Sequence, residues 1–340
     1  MKACIITVYN SENCGSFWQA KALEAYLISR GYDVYFLKRK MKYSSHSFSR
    51  LMKNVCTELL NTNVTAALTA IRQYIVFSSG ARQFRTVKTC DESFNLCVLG
   101  SDTIWNLKSK YFVVNREAYF GGQSRAKKTI SYAASIGNSN KSDIVKYPEL
   151  QHYLNELDLI TVRDIETQNT VESITNKSAK LVCDPTLLFD KDFYLDHVKP
   201  VFRTNSVFVY YFNKIPADLV DRIYAFARKN DLKIVVMGNS MKGDINYAYD
   251  PKVFIECFYE AQFVVTNTFH GTLFSLIFEK QAVFHSCGKK KVQDILSRFG
   301  LKHQDYDNVD DKDELFQCSR IDYKEVRRSL ATFRQDSNVF

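Results

Sequence analysis

Short apolar, β-branched runs alternate with amphipathic stretches along most of this chain, and no other feature restricts its fold as strongly. Ala3 to Val8 reads as a strand, Tyr9 to Ser16 as a polar loop and Phe17 to Arg30 as an amphipathic helix that ends at Gly31. Val34 to Leu37 then reads as a second, parallel strand. Strand, loop, helix, strand in this order is the unit of a doubly wound sheet. Strands of the same type are expected at Leu96 to Leu99, Lys128 to Tyr132, Leu157 to Val162 and Ala179 to Val182.

A polar break carrying Pro200 follows at Asp190 to Asn205, and the alternation then restarts. Strands are expected at Val207 to Phe212, Ile234 to Met237, Phe263 to Thr266 and Ala282 to His285. Helices are expected between and after them, at Ala217 to Arg228, Phe254 to Ala261, His270 to Phe278 and Val292 to Phe299. A length of 340 residues suits two cores better than one. The predicted architecture is α/β, with two doubly wound Rossmann-like domains facing a cleft, GT-B-like. The first domain spans 1–190, carries a basic helical insertion near 40–88 and is read as the acceptor side. The second spans 206–320 and contributes the His270 loop. In the tail, 321–340, a helix from Tyr323 to Phe333 is expected to cross back to the first domain.

The formal net charge of +9 points to an anionic partner, and much of it lies between Lys38 and Lys88, where ten basic side chains face almost no acids. A phosphorylated substrate or an acidic membrane surface fits this excess. Nucleic acid does not, because no zinc-finger, RNP or helix-turn-helix pattern accompanies it. A solvated basic surface is the plain alternative. The nine cysteines are odd in number and lack any CxxC pair, and several sit in apolar runs, so a reducing compartment is expected. Neither a signal peptide nor a run approaching the roughly 18 to 20 apolar residues of a membrane span is seen. The expected location is cytoplasmic, with any membrane contact peripheral and on the inner face. No two histidines have metal-ligand spacing on one helix face, so neither metal nor cofactor is expected.

Chemistry in such sheets collects at the carboxyl ends of strands. The first candidate is the loop Tyr9 to Ser16, where Asn10, Asn13, Gly15 and Ser16 precede a helix N-terminus suited to an anion or a sugar hydroxyl. Alternatively, Asn13 and Ser16 only cap that helix. The second is the segment Gly100 to Asn106. Asp102 could hold a sugar hydroxyl or act as a base, Trp105 could stack on a pyranose face, and Asn106 adds an amide. Otherwise Asp102 is an N-cap and Trp105 core. The third is Arg163, leaving an apolar strand either salt-bridged to Asp164 or Glu166, or aimed at a phosphate or carboxylate. The fourth is the turn Thr266 to Thr272, in which Thr268, Phe269, His270 and Gly271 join a strand to a helix. The helix dipole favours a neutral His270, and Gly271 would leave room for a ligand. On the following turn, His285, Lys289, Lys290 and Lys291 suit a phosphate or form a solvated loop.

Six segments in this order resemble the polysaccharide pyruvyltransferase family: YNSENCGSFWQAKAL, VLGSDTIWN, SYAASIG, ITVRD, CDPTLL and TNTFHGTLFSLIFEK. The resemblance spans roughly Met1 to Leu301. It implies a GT-B-like fold and transfer of pyruvate from phosphoenolpyruvate to two hydroxyls of one sugar, giving a cyclic ketal in surface or capsular polysaccharide synthesis. It also implies that Arg163 and His270 contact phosphoenolpyruvate and that His270 is the acid–base group. Some members carry a basic residue two positions before that histidine, where this chain has Thr268; Lys289 to Lys291 are the candidates to substitute. The acceptor is expected to be a sugar, with a lipid-linked one allowed. Two other functions share the pattern: a GT-B glycosyltransferase using a nucleotide sugar, and a non-catalytic saccharide-binding protein.

Overall fold

The computed structural model describes residues 1–39, 48–201, 203–317 and 320–340. Lys40 and Lys42 of the basic stretch, and Cys318, lie outside the described residues. The chain divides into two compact units, one of residues 1–188 with 336–340 and one of residues 189–335.

In the first unit, β1 (Lys2–Ile6), β2 (Asp33–Leu37), β3 (Thr86–Val87), β4 (Leu96–Leu99) and β5 (Thr129–Ser131) form a parallel sheet in the order β3-β2-β1-β4-β5. A further parallel pair, β6 (Ile160–Val162) and β7 (Ala179–Leu181), continues from β5 through single bridges at Ile130–Leu159 and Ala134–Val162. The strand order reverses between β1 and β4, which is where doubly wound sheets open a crevice at their carboxyl ends. The segments KACII and LCVL are apolar with little alternation, because a parallel sheet is covered on both faces. Cys4 and Cys97 pair in register across β1 and β4 as buried free thiols.

Helix α1 (Cys14–Ser29) starts three residues earlier than its hydrophobic spacing suggests. Asn13 is the reason: its side-chain oxygen accepts the Ser16 N–H at 3.1 Å and caps the first turn. Two further helices, α2 (Phe48–Leu60) and α3 (Val64–Ala81), are inserted between β2 and β3.

The second unit repeats the plan. Its strands β8 (Ser206–Tyr210), β9 (Lys233–Met237), β10 (Ile245–Tyr247), β11 (Ala261–Thr266) and β12 (Gln281–Phe284) are parallel in the order β10-β9-β8-β11-β12. Helix Ala217–Lys229 buries Leu219, Ile223, Phe226 and Ala227 along one face. Each large apolar side chain sequestered in this way contributes about 1.5–3 kcal/mol. The sequence reading missed β10, since Ile-Asn-Tyr is a short, half-exposed edge with no apolar run to announce it; it also missed β3 inside the expected helical insertion and the helix Lys191–Val198 inside the expected polar break.

Helix Tyr323–Asp336 buries Val326, Leu330 and Phe333. The part of the tail that belongs to the first unit is residues 336–340, rather than the whole helix expected to cross back. There Cys183 N–H donates to Ser337 Oγ (2.7 Å), the Tyr26 hydroxyl donates to Asn338 Oδ1 (2.9 Å), and Phe340 stacks on Tyr132 with ring centroids 5.7 Å apart.

Candidate functional site

Gly100 ends β4 where the chain passes tightly against β5; it has φ of 116°, and a Cβ there would run into the Tyr132 carbonyl oxygen. Two residues on, Asp102 also takes a left-handed backbone, φ 76°, which is uncommon without glycine. Its carboxylate is held on several sides. Ser16 Oγ donates to Oδ2 at 2.6 Å, Thr103 N–H donates to Oδ1 at 2.6 Å, and Arg163 Nη2 lies 3.5 Å from Oδ1.

Arg163 leaves the end of β6 and meets a second carboxylate, with Nη1 donating to Asp184 Oδ2 at 3.0 Å. Asp184 in turn accepts from Ser101 Oγ at 3.0 Å, Thr186 Oγ1 at 2.9 Å and Thr186 N–H at 3.1 Å. The Arg163 and Asp184 side chains are 1% and 0% exposed, so this is a buried, hydrogen-bonded charge network at the carboxyl edge of the sheet. Arg163 forms ion pairs with Asp184 and Asp102, where the sequence reading looked to Asp164 or Glu166. Asp164 instead caps the helix Ile165–Ile174, accepting the Thr167 N–H at 2.9 Å.

The acceptor residues expected around this edge divide. Ser16 reaches Asp102, so its hydroxyl does more than cap α1. Asn13 is the cap itself, Gly15 is buried in the first turn of α1, and Asn10 is half-buried in the loop after β1. Trp105 is a correction. It is 0% exposed, its indole N–H donates to Tyr119 O at 2.9 Å and its ring packs on Phe120, so it is core and cannot stack on a sugar. Asn106 is half-buried, and its side-chain oxygen accepts from Ser139 Oγ at 3.2 Å and Lys108 N–H at 3.2 Å.

In the second unit β11 leads through Asn267 into helix Phe269–Ile277. Thr268 is its N-cap, accepting the Gly271 N–H at 2.9 Å, and its hydroxyl lies 3.1 Å from that of Thr266. Capping explains threonine at this position. Gly271 makes room for these two side chains rather than for a ligand: a Cβ there would stand 2.5 Å from Thr268 Oγ1 and closer still to Thr266 Oγ1. Gly271→Ala should therefore lower stability by about 1–3 kcal/mol. An unchanged thermal midpoint would contradict this packing.

His270, in the first turn of that helix, is buried, with its ring edge-on to Phe269 at 5.4 Å. Lysines from the turn after β12 come to the same place. Lys289 Nζ donates to Asn267 O at 2.8 Å, and Lys291 Nζ lies 5.9 Å from the Phe269 ring centroid. Burial lowers the Lys289 pKa below the ordinary lysine value, against a smaller opposing effect of Cys287. Lys290 is exposed and opens the helix Lys290–Arg298.

Beside this turn His285 Nε2 lies 3.0 Å from Asp307 Oδ1, and its Nδ1 lies 2.7 Å from the Tyr211 hydroxyl. Asn267 clasps the end of β8 from both sides, accepting the Phe212 N–H at 2.8 Å and donating to Phe212 O at 2.9 Å. Asp184, Asp307 and Tyr211 were not singled out from sequence. Asp184 had a signal, since CDPTLL follows an apolar strand. Asp307 lies in a tract of acids and had none.

Solved structures share this fold. An alpha-glucosyltransferase in complex with UDP aligns with a TM-score of 0.52 at 10% identity, over 99% of this chain and 95% of that one. UDP-GlcNAc 2-epimerase from Neisseria meningitidis, bound to UDP-GlcNAc, aligns with a TM-score of 0.50 at 8% identity, over 100% of this chain and 95% of that one. At such identities the likeness defines the fold alone: two Rossmann-like units of the GT-B class. No curated protein matches the chain. The polysaccharide pyruvyl transferase family model matches residues 13–287, and the chain belongs to that family.

Proposed function

We propose that this chain transfers pyruvate from phosphoenolpyruvate to two hydroxyls of one sugar, forming a cyclic ketal and releasing phosphate. The observation that carries the reading is the approach of Lys289 and Lys291 to the Asn267–Phe269 turn that leads into His270. Phosphoenolpyruvate is a compact polyanion, and cations beside a helix N-terminus are what such a donor needs. In this reading the two lysines supply the positive charge that Thr268 does not. His270 is the acid–base group, and the Asp102 carboxylate receives a sugar hydroxyl. Protonation of the donor's methylene carbon makes C2 electrophilic. One hydroxyl adds there as it loses its proton to a base, and the second hydroxyl displaces phosphate.

Thermal stability with phosphoenolpyruvate tests the donor. A ligand at about 100 times its Kd stabilises the folded state by roughly 2.7 kcal/mol. The shift should occur with the wild type and shrink in Lys289→Gln. A polyanion beside Lys289 raises the lysine pKa in the complex above its depressed free value. Binding is therefore at full strength below the free-protein pKa and is lost as pH rises through that of the complex. A shift with a nucleotide sugar and none with phosphoenolpyruvate would move the assignment to a glycosyltransferase. Saccharide binding with neither donor would move it to a binding protein.

A further inference from the structure

The insertion between β2 and β3 carries apolar side chains on its surface in two matched stripes. In α2, Phe48, Met52, Val55 and Leu59 recur at helical spacing on one face, and the helix buries none of its residues. In α3, Val64, Leu68, Ile71 and Ile75 repeat the same spacing, with Leu68 61% and Ile75 59% exposed. The other side of α3 is docked: Ala67, Phe77 and Gly80 are buried, and Gly80 lies against the Phe17 ring of α1. The exposed stripe is thus not a helix adrift but one face of an anchored element. Phe48 of α2 packs edge-on to Tyr74 of α3 with centroids 6.2 Å apart, and exposed apolar side chains clustered on a folded helix pair mark an interaction site.

Charge decides between occupants. On α2 and α3 themselves three basic residues, Arg50, Lys53 and Arg72, stand against one acid, Glu58. Lys53 and Arg72 stand on the exposed surface of the helices that carry the stripes. A second copy set face to face would bring cation against cation. Nucleic acid would meet the cations and leave the stripes in water. An anionic lipid surface satisfies both, since apolar side chains enter the headgroup boundary while Lys and Arg remain at its charged plane. Among the described residues no helix is long and apolar enough to cross a membrane, so contact of this kind would be lateral.

We propose that α2 and α3 dock this chain on the anionic face of a lipid bilayer. The proposal stands independently of the donor assignment.

Co-sedimentation of the full chain with vesicles tests this. Binding should be strong to phosphatidylcholine mixed with phosphatidylglycerol, weak to phosphatidylcholine alone, and should fall with added salt. Leu68→Ser with Ile75→Ser should weaken partitioning roughly 100-fold. Lys53→Gln with Arg72→Gln should weaken it about 25-fold, near fivefold per charge. All four side chains are exposed, so the thermal midpoint serves as the folding control. Failure of the wild type to bind, or unchanged binding by both variants, would overturn the proposal. So would a concentration-dependent dimer abolished by the Leu68 and Ile75 changes, which would assign the face to a second copy.

Discussion

His270→Gln is expected to lower the rate of phosphate release by roughly 10²–10⁴-fold, the range ascribed to a positioned general acid or base. The stabilising shift produced by phosphoenolpyruvate should largely survive, because the lysines on the next turn remain. That split matters: losing turnover while keeping donor binding marks a group that acts in the transition state. His270 is buried near the start of a helix whose first turn is held by Thr268, so glutamine can occupy the site without disturbing the cap. Steady-state phosphate release checks the rate, and thermal melting with the donor checks binding. Near-wild-type release by His270→Gln would remove the histidine from the chemistry.

The second large effect is on stability. Asp184→Ala should destabilise the first unit by about 3–5 kcal/mol, because it strips a buried arginine of its closest carboxylate and leaves Ser101 and Thr186 hydroxyls without their acceptor. For a unit of this size each kcal/mol corresponds to roughly 2–4 °C in Tm, so a fall near 10 °C is expected. Asp184→Asn loses the charge but keeps one acceptor oxygen, enough for Thr186 at the Oδ1 position while Ser101 loses its acceptor at Oδ2, and should fall between. Thermal denaturation of the three proteins side by side measures the series. A change within about 0.5 kcal/mol for the alanine variant would mean that the network relaxes without it.

The fold was legible because its signal is periodic. Buried parallel strands such as Leu96–Leu99 are uninterrupted apolar runs, and helices such as Ala217–Lys229 show a single apolar face. What escaped depended on side-chain hydrogen bonds that leave no periodic trace. Asn13 drew α1 three residues forward, and the edge strand Ile245–Tyr247 lacks an apolar run.

The site was legible in its turns and less so in its roles. The segments after β4, β6 and β11 do bring polar groups to the carboxyl edges of their sheets. Trp105 looks identical in sequence whether it faces a ligand or a core, and burial sent it inward. Arg163 was rightly marked as a charge in need of a partner, but its carboxylates arrive from Asp102 and Asp184, far along the chain, and only the sheet order brings them together. Gly271 was read as space for a ligand and proves to be space for two threonines.

The most direct test of the central claim is a single incubation of the protein with phosphoenolpyruvate and a panel of sugar acceptors, following inorganic phosphate and acceptor mass together. Pyruvyl transfer predicts that one acceptor gains the mass of pyruvic acid less one water, with one phosphate released for each ketal formed. Phosphate released without that gain, or a sugar gained from a nucleotide donor in its place, would contradict it.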